Sequence, residues 1–294
     1  MPGVLTVWLT HRYLENSMLE RLMRLPLYDE SHASSPCTTL TSNYRSHGSI
    51  LRLFSSLFYN QRLQPKADEE LVQSLEAWEE LPAKHSFPLM FYGVVGRVVR
   101  EEGDPSLFNA QEATKLVQLV LKLLEADLGV GPGDIGVIAP FRKQVFKIRM
   151  LLRSQGLDTI RVGTVEDYQG QEEKVLFVST VLSKSPRHQL DSSLGAGREQ
   201  KRFNVAISRA KALLVIVGNP FVALHDPNWS EALHYCVGRG AYAGCECEAL
   251  AQAAVADDET FVESMAKMAV LGGGYENVSL EDAYRDDMEF RVVL

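Results

Sequence analysis

The sequence predicts an α/β domain, a parallel sheet covered by helices on both faces, and three observations carry that prediction. Short runs of nearly continuous apolar residues, at 88–95, 135–139, 160–165, 174–181 and 212–217, have the composition of strands that meet no water on either side. Between them lie segments whose apolar residues recur every three or four positions, as along one side of a helix. Two of the runs stop abruptly, at Pro140 and at Gly218-Asn219-Pro220, where a strand hands over to a turn.

Each element follows in order. Residues 1–31 read as an irregular segment with one helical pattern at 17–23, and 31–39, rich in Ser, Thr and Pro, as a loop. Ile50, Leu53, Phe54, Leu57 and Phe58 then form one helical face that ends near Asn60. Asn109 with Glu112 three residues on is an N-cap signature, and Leu116, Val117, Val120, Leu121 and Leu124 continue it as a helix. After the turn at 131–134 and the run 135–139, a helix carries Val145, Ile148, Leu151 and Leu152. A further helix is expected at 203–211, between the last two strands. In parallel sheets the working residues stand just beyond the carboxyl ends of strands, which points to 140–144 and 218–220.

Composition narrows the possible classes. The 294 residues, 46% hydrophobic and 23% charged, exclude collagenous, mucin-like and wholly disordered chains. No run approaches the roughly 18 apolar residues of a membrane helix, and the start lacks the basic and small-residue features of a secretory signal. Four scattered cysteines suit a reducing compartment rather than a disulfide framework. The net charge of −8 is uneven: from Glu246 onward 12 acidic residues face 3 basic ones, which leaves the body before it close to neutral and able to carry a basic groove. The expected organisation is an N-terminal segment 1–31, a domain 32–247 and an acidic, disordered tail 248–294 in which only 259–270 has helical character.

Three segments carry unusual chemistry: Tyr44-Arg45-Ser46-His47, the stretch from Gly163-Thr164-Val165 through Asp167-Tyr168-Gln169-Gly170 to Glu172, and the stretch Arg202-Phe203-Asn204 to Ser208-Arg209-Ala210-Lys211. Singly, each has an ordinary reading as a solvated charge, a turn or a helix face. Arg202 and Arg209, seven apart, would lie on the same side of one helix.

In this order and spacing the segments resemble the second motor domain of superfamily 1 RNA helicases of the up-frameshift type, with Pro140-Phe141-Arg142-Lys143-Gln144 similar to that family's motif IV region. Features at Leu190-Asp191, at 201–206 and at 218–229 are most similar to its Moloney leukaemia virus 10-like (Armitage) branch. The resemblance covers about residues 15–245 and implies a RecA-like fold, ATP hydrolysis coupled to single-stranded RNA, a cytoplasmic location and a role in RNA silencing with silencing-factor proteins as partners.

By the same resemblance, Arg45 and Arg209 are the catalytic arginines that reach across a cleft to the ATP phosphates. Such a role suits a guanidinium, which neutralises charge building on a γ-phosphate with two parallel hydrogen bonds. Tyr44 is implied to stack on adenine, while Gly170 and Glu172 border the nucleotide and couple it to RNA. Thr164, Arg142 and Lys143 are implied to touch the RNA backbone, with ordinary surface charge as the competing reading.

The phosphate cradle itself is missing from this sequence. A Gly-x-x-x-x-Gly-Lys-[Ser/Thr] loop is needed to hold Mg-ATP, and the chain contains no Gly-Lys pair. A first RecA-like domain would have to supply it, and this chain by itself is expected to be inactive. Asp29-Glu30 follows a proline-containing stretch and reads as a loop, and Gly103-Asp104-Pro105 lies in the wrong order for the family's motif III. Residues 1–14 depart from what precedes this domain in the family, so the chain reads as a short isoform or fragment. A silent form that serves as an RNA- or protein-interaction module fits the same residues. No cysteine and histidine set has metal-ligand spacing, so no metal site is expected.

Overall fold

Residues 18–23, 25–28, 38–83, 86–100, 106–182 and 196–247 are described by the computed structural model. Along the first half of the chain the elements are α1 (Met18–Met23), β1 (Ser42–Asn43), α2 (Gly48–Phe58), β2 (Gln64–Pro65), α3 (Glu69–Gln73), β3 (Leu89–Gly93), β4 (Val98–Arg100) and β5 (Leu107–Asn109). There follow α4 (Ala110–Glu125), β6 (Ile135–Ile138), α5 (Arg142–Ser154), β7 (Arg161–Gly163), β8 (Glu173–Ser179), α6 (Ala196–Ile207), β9 (Ala210–Gly218), α7 (Pro220–Ala223), α8 (Pro227–Gly238) and β10 (Tyr242–Gly244).

Six strands form one sheet in the order β10-β3-β9-β8-β6-β7, and every neighbouring pair is parallel. The nearly unbroken apolar runs are explained by what lies above and below. Val175 and Phe177 of β8 and Leu213, Val215 and Val217 of β9 face a core built from α4, α5, Leu75, Trp78 and Leu81. Their alternates, Leu176, Val178, Leu214 and Ile216, point the other way and are equally dry. On that side α2 lies against β9 and α6, and α8 against β3. Phe203 of α6 stacks edge-on to Trp229 of α8 with ring centroids 4.7 Å apart. The α/β class expected from the sequence, a parallel sheet covered by helices on both faces, is the class observed.

Two expectations need correction. The helix expected at 203–211 is α6, which ends at Ile207, and Ala210 and Lys211 already belong to β9. Arg209 therefore stands in the turn between them and shares no helix face with Arg202. Connecting helices in a parallel sheet run antiparallel to the strands, so α6 carries Arg202 near the carboxyl edge of the sheet and delivers Arg209 to the amino edge. The small antiparallel pair β4–β5, the helix α8 and the edge strand β10 are additions, too short or too weakly patterned to read beforehand. The acidic tail 248–294, Asp29-Glu30, Gly103-Asp104-Pro105 and Leu190-Asp191 lie outside the described residues.

Candidate functional site

The Tyr44-Arg45-Ser46-His47 loop is first shaped by its own sequence and then fastened to β9. Asn43, at the end of β1, accepts through Oδ1 from the N–H groups of Arg45 (3.1 Å) and Ser46 (2.9 Å), an Asx turn. The buried Ser46 hydroxyl donates to the Ala210 carbonyl and the His47 N–H to the Lys211 carbonyl, each at 2.8 Å. His47 caps α2 by accepting from Ser49 N–H at Nδ1 (3.1 Å), which leaves the ring proton on Nε2 to donate to Glu76 (2.9 Å). Burial lowers the His47 pKa, and Glu76 pulls the other way.

This loop sets a group of cations around one carboxylate at the amino ends of β8 and β9. Arg45 donates from Nε to Glu172 Oε2 (2.5 Å) and from Nη1 to the Ser208 carbonyl (3.3 Å). Lys211 Nζ meets the other oxygen of Glu172 at 3.0 Å. The two cations, Arg45 foremost, hold the Glu172 carboxyl below its usual range. Arg209 has neutral partners, the Val205 carbonyl (3.3 Å) and the Ser208 hydroxyl (2.8 Å). Burial, and after it the positive charge of Arg45, depresses the Arg209 pKa. Two guanidinium groups thus stand within electrostatic reach of each other, and among the described residues Arg209 makes no ion pair and feels Glu172 only at a distance, which makes the spot receptive to an anion. The Tyr44 ring, next in sequence, is 75% exposed.

Residues 164–172 cross from one edge of the sheet to the other. Thr164 follows the carboxyl end of β7, and Glu172 precedes the amino end of β8. The crossing can be short because β7 has three residues. Tyr168 anchors it: fully buried, its hydroxyl donates to the Arg161 carbonyl (2.9 Å) and accepts from the Val137 N–H (3.1 Å). Gly136 leaves room for that ring, since a Cβ there would lie 2.4 Å from the Tyr168 hydroxyl. Gly170, with φ of 81°, takes the left-handed turn back toward β8 that a side chain would oppose.

The carboxyl edge is built otherwise. Arg142 and Lys143 open α5, whose N-cap Phe141 offers no side-chain acceptor and whose first turn holds no acid. Two cations at the positive end of a helix have the wrong sign for its dipole, and Arg142 faces the Asp167 carboxylate. Thr164 is buried, and its N–H (2.9 Å) and hydroxyl (3.0 Å) both donate to Asp167 Oδ2. Those hydrogen bonds lower the Asp167 pKa, helped by Arg142 and Arg149. The two Thr164 donors expected to face a phosphate are therefore engaged within the chain. Arg202 pairs with Glu166 (2.9 Å) and donates to the Pro140 carbonyl (3.0 Å), fastening α6 to the loop after β6.

The residues named from the sequence thus fall into two groups. Arg45, Arg209, Glu172 and Tyr44 gather at the amino edge, Arg142, Lys143 and Thr164 at the carboxyl edge, and Gly170 lies on the crossing between them. Lys211, Tyr168, Asp167 and the Asn43 turn were missed. Lys211 had a signal, a cation two positions after Arg209 at a strand start, but sharing Glu172 with Arg45 is visible only once distant segments meet.

The family model described as an AAA domain matches residues 14–220, and the chain belongs to that family, within the superfamily 1 helicases. Its relatives place it on the Mov10-like branch. It is 46% identical over 244 residues to the mouse and human proteins named RNA helicase Mov10l1, covering 79% of this chain and 20% of each of theirs. It is 34% identical over 251 residues to the Drosophila melanogaster protein named Probable RNA helicase armi, covering 78% of this chain and 21% of that one. The chain spans about a fifth of the length of these curated relatives.

Proposed function

We propose that this chain, with its domain at 32–247, is the second RecA-like motor domain of an ATP-dependent RNA helicase. It contributes the arginine half of an ATP site whose phosphate cradle and Mg²⁺ come from a first RecA-like domain. The observation that carries this reading is the Arg45 and Arg209 pair at the amino edge, where Arg209 is half-buried with neutral partners and is repelled by Arg45. A triphosphate seated across a domain cleft would relieve that repulsion, and its charge would be neutralised most strongly in the transition state.

In the same reading, Tyr44 presents an exposed ring for an adenine, and Arg142, Lys143 and Thr164 contribute to a single-stranded RNA track. The helix start at Arg142 supports a backbone phosphate contact, sequence-blind and salt-sensitive. Thr164 joins the track if a phosphate displaces the Asp167 carboxylate. The crossing segment 164–172, which ties the track to Glu172, is a physical route for coupling RNA to ATP. The names of the relatives support RNA as the polymer, and a cytoplasmic location and a role in RNA silencing are part of the same proposal.

The test is ATP turnover in the longer helicase that contains both motor domains. Arg209→Ala should abolish RNA-stimulated hydrolysis while nucleotide-free melting stays unchanged. RNA-stimulated hydrolysis by residues 1–294 alone, abolished by Arg209→Ala, would overturn the need for a second domain.

A further inference from the structure

A buried carboxylate that the nucleotide site does not use joins three elements behind the carboxyl edge. Glu112, in the first turn of α4, is fully buried and, among the described residues, hydrogen-bonds to no cation. Its Oε2 accepts from the Ser179 hydroxyl at the end of β8 (2.7 Å) and from the Val181 N–H (2.9 Å), and its Oε1 accepts from Asn109 Nδ2 (3.0 Å). Ser179 in turn accepts from Gln144 Nε2 (2.9 Å), and Gln144 clasps the Asn109 backbone, accepting from its N–H (2.9 Å) and donating to its carbonyl (3.0 Å). Gln144 directly follows Arg142 and Lys143 in α5.

The chemistry of this cluster demands a carboxylate. The groups aimed at Glu112, the Asn109 amide, the Ser179 hydroxyl and the Thr180 and Val181 N–H groups, all donate to it, and an ionised carboxylate accepts on both oxygens without donating. A glutamine would turn an N–H toward one of them. Val181 adds an independent sign: its φ is 48°, a left-handed conformation that a β-branched residue strongly disfavours. A strained turn persists where its surroundings hold it, and the Val181 N–H is held by Glu112. An N-cap for α4 needs none of this, since the Asn109 side chain already accepts from the Glu112 N–H.

We propose that Glu112 is a positioning residue for the RNA-facing edge, holding the turn after β8 in its left-handed form and, through Ser179 and Gln144, the first turn of α5 with Arg142 and Lys143. This rests on the reading of that edge as an RNA track. The carboxylate form is the working form, because a proton on Glu112 would set an O–H against a ring of donors. Burial pushes the carboxyl up to about 7, so the working form is lost within an ordinary experimental range. The groups that face the carboxylate from α4 and its cap, β8 and the turn after it, and α5 behind Ser179, are Asn109, Ser179, Thr180, Val181 and Gln144, none of which titrates.

The test uses the intact chain and a fluorescent single-stranded oligouridylate, with Glu112→Gln, Ser179→Ala and Arg142→Ala compared at pH 8 and pH 6, alongside melting curves and amide exchange of segments 142–146 and 177–182. At pH 8 both Glu112→Gln and Ser179→Ala should weaken RNA binding by roughly three- to tenfold, the loss of one buried hydrogen bond. Exchange in the two segments should rise in both variants. Wild-type affinity should fall toward that of Glu112→Gln as pH drops to 6, and the variant itself should show no such fall. Should Glu112→Gln fail to fold, Ser179→Ala carries the comparison, since it cuts the link to α5 and leaves the Val181 contact intact. Unchanged exchange in both segments overturns the proposal whatever happens with RNA. Normal RNA affinity in the Glu112 and Ser179 variants, with Arg142→Ala weakened, overturns it while leaving the track in place. Unchanged affinity in Arg142→Ala removes the track, and the proposal falls with it.

Discussion

The two ends of the same strands solve opposite electrostatic problems. At the amino edge Arg45 and Lys211 pair with Glu172 and Arg209 stands beside them on neutral partners, on segments fastened to main-chain carbonyls of β9, so positive charge is concentrated and held still. At the carboxyl edge the buried polar groups are neutral apart from Glu112, and the cations Arg142 and Lys143 stand at a helix start. The first arrangement suits a compact, multiply charged anion, and the second suits a chain of single charges. β9, nine residues long, separates them by about 25 Å of rigid strand, and the crossing at 164–172 joins them covalently. On the proposed reading the domain keeps its two ligands apart and still connects them through packed backbone.

That contrast can be broken by substitution. In the proposed two-domain helicase, Arg209→Ala should reduce ATP turnover by roughly 10³-fold or more, the loss expected of an arginine finger, with RNA affinity nearly intact. Arg45→Ala should behave similarly, whereas Lys211→Ala should not, and steady-state ATPase assays with RNA titrations would show it. Equal loss of RNA binding in Arg209→Ala would mean that the two edges are not separate sites.

Tyr168→Ala attacks both edges at once. Emptying a fully buried aromatic site and orphaning the Val137 N–H should cost about 3–5 kcal/mol, read as a lowered denaturation midpoint. Tyr168→Phe, which keeps the ring, should cost far less. A neutral alanine variant would show that the crossing segment is not anchored there.

Smaller effects sharpen the contrast. Arg142→Ala should weaken single-stranded RNA binding several-fold and reduce the slope of log affinity against log salt by about one, with no change in nucleotide affinity. An unaltered slope would deny the phosphate contact. The smallest change is expected for Glu172→Gln. Because Arg45 and Lys211 hold that carboxyl below its usual range, its stabilising effect is present at neutral pH and is lost as pH falls through the lowered value. Any difference in melting temperature between the variant and wild type should therefore exist at pH 7, begin to shrink as pH enters the ordinary carboxylate range and close only below the lowered value.

Much of this was legible in advance. The helix at Gly48–Phe58, the Asn109 cap of α4 and the strand before Pro140 were readable because period and capping are local properties. The placement of Arg209 was not. A seven-residue spacing looks the same whether or not a helix ends inside it, and α6 ends at Ile207 because Ala210 and Lys211 are taken up by pairing with β8. Glu112 was legible as a capping residue and illegible as a buried hub. Its role depends on Ser179 and Val181, which lie 67 and 69 residues away. The expectation for Thr164 missed Asp167 for a plainer reason: both sit in one short motif, and a carboxylate three residues along completes a capping box in the free chain.

Composition and periodicity alone determined that this is a parallel α/β domain, since only strands covered on both faces can be apolar throughout, and residue order alone determined its kinship with superfamily 1 helicases. Tertiary structure decided which of those residues meet. Arg45 and Glu172, 127 positions apart, pair because the Asn43 turn and the start of β9 bring them to the same edge. The division of the motif residues between two ends of the sheet follows from antiparallel connecting helices, a property of the packed fold that no stretch of sequence contains.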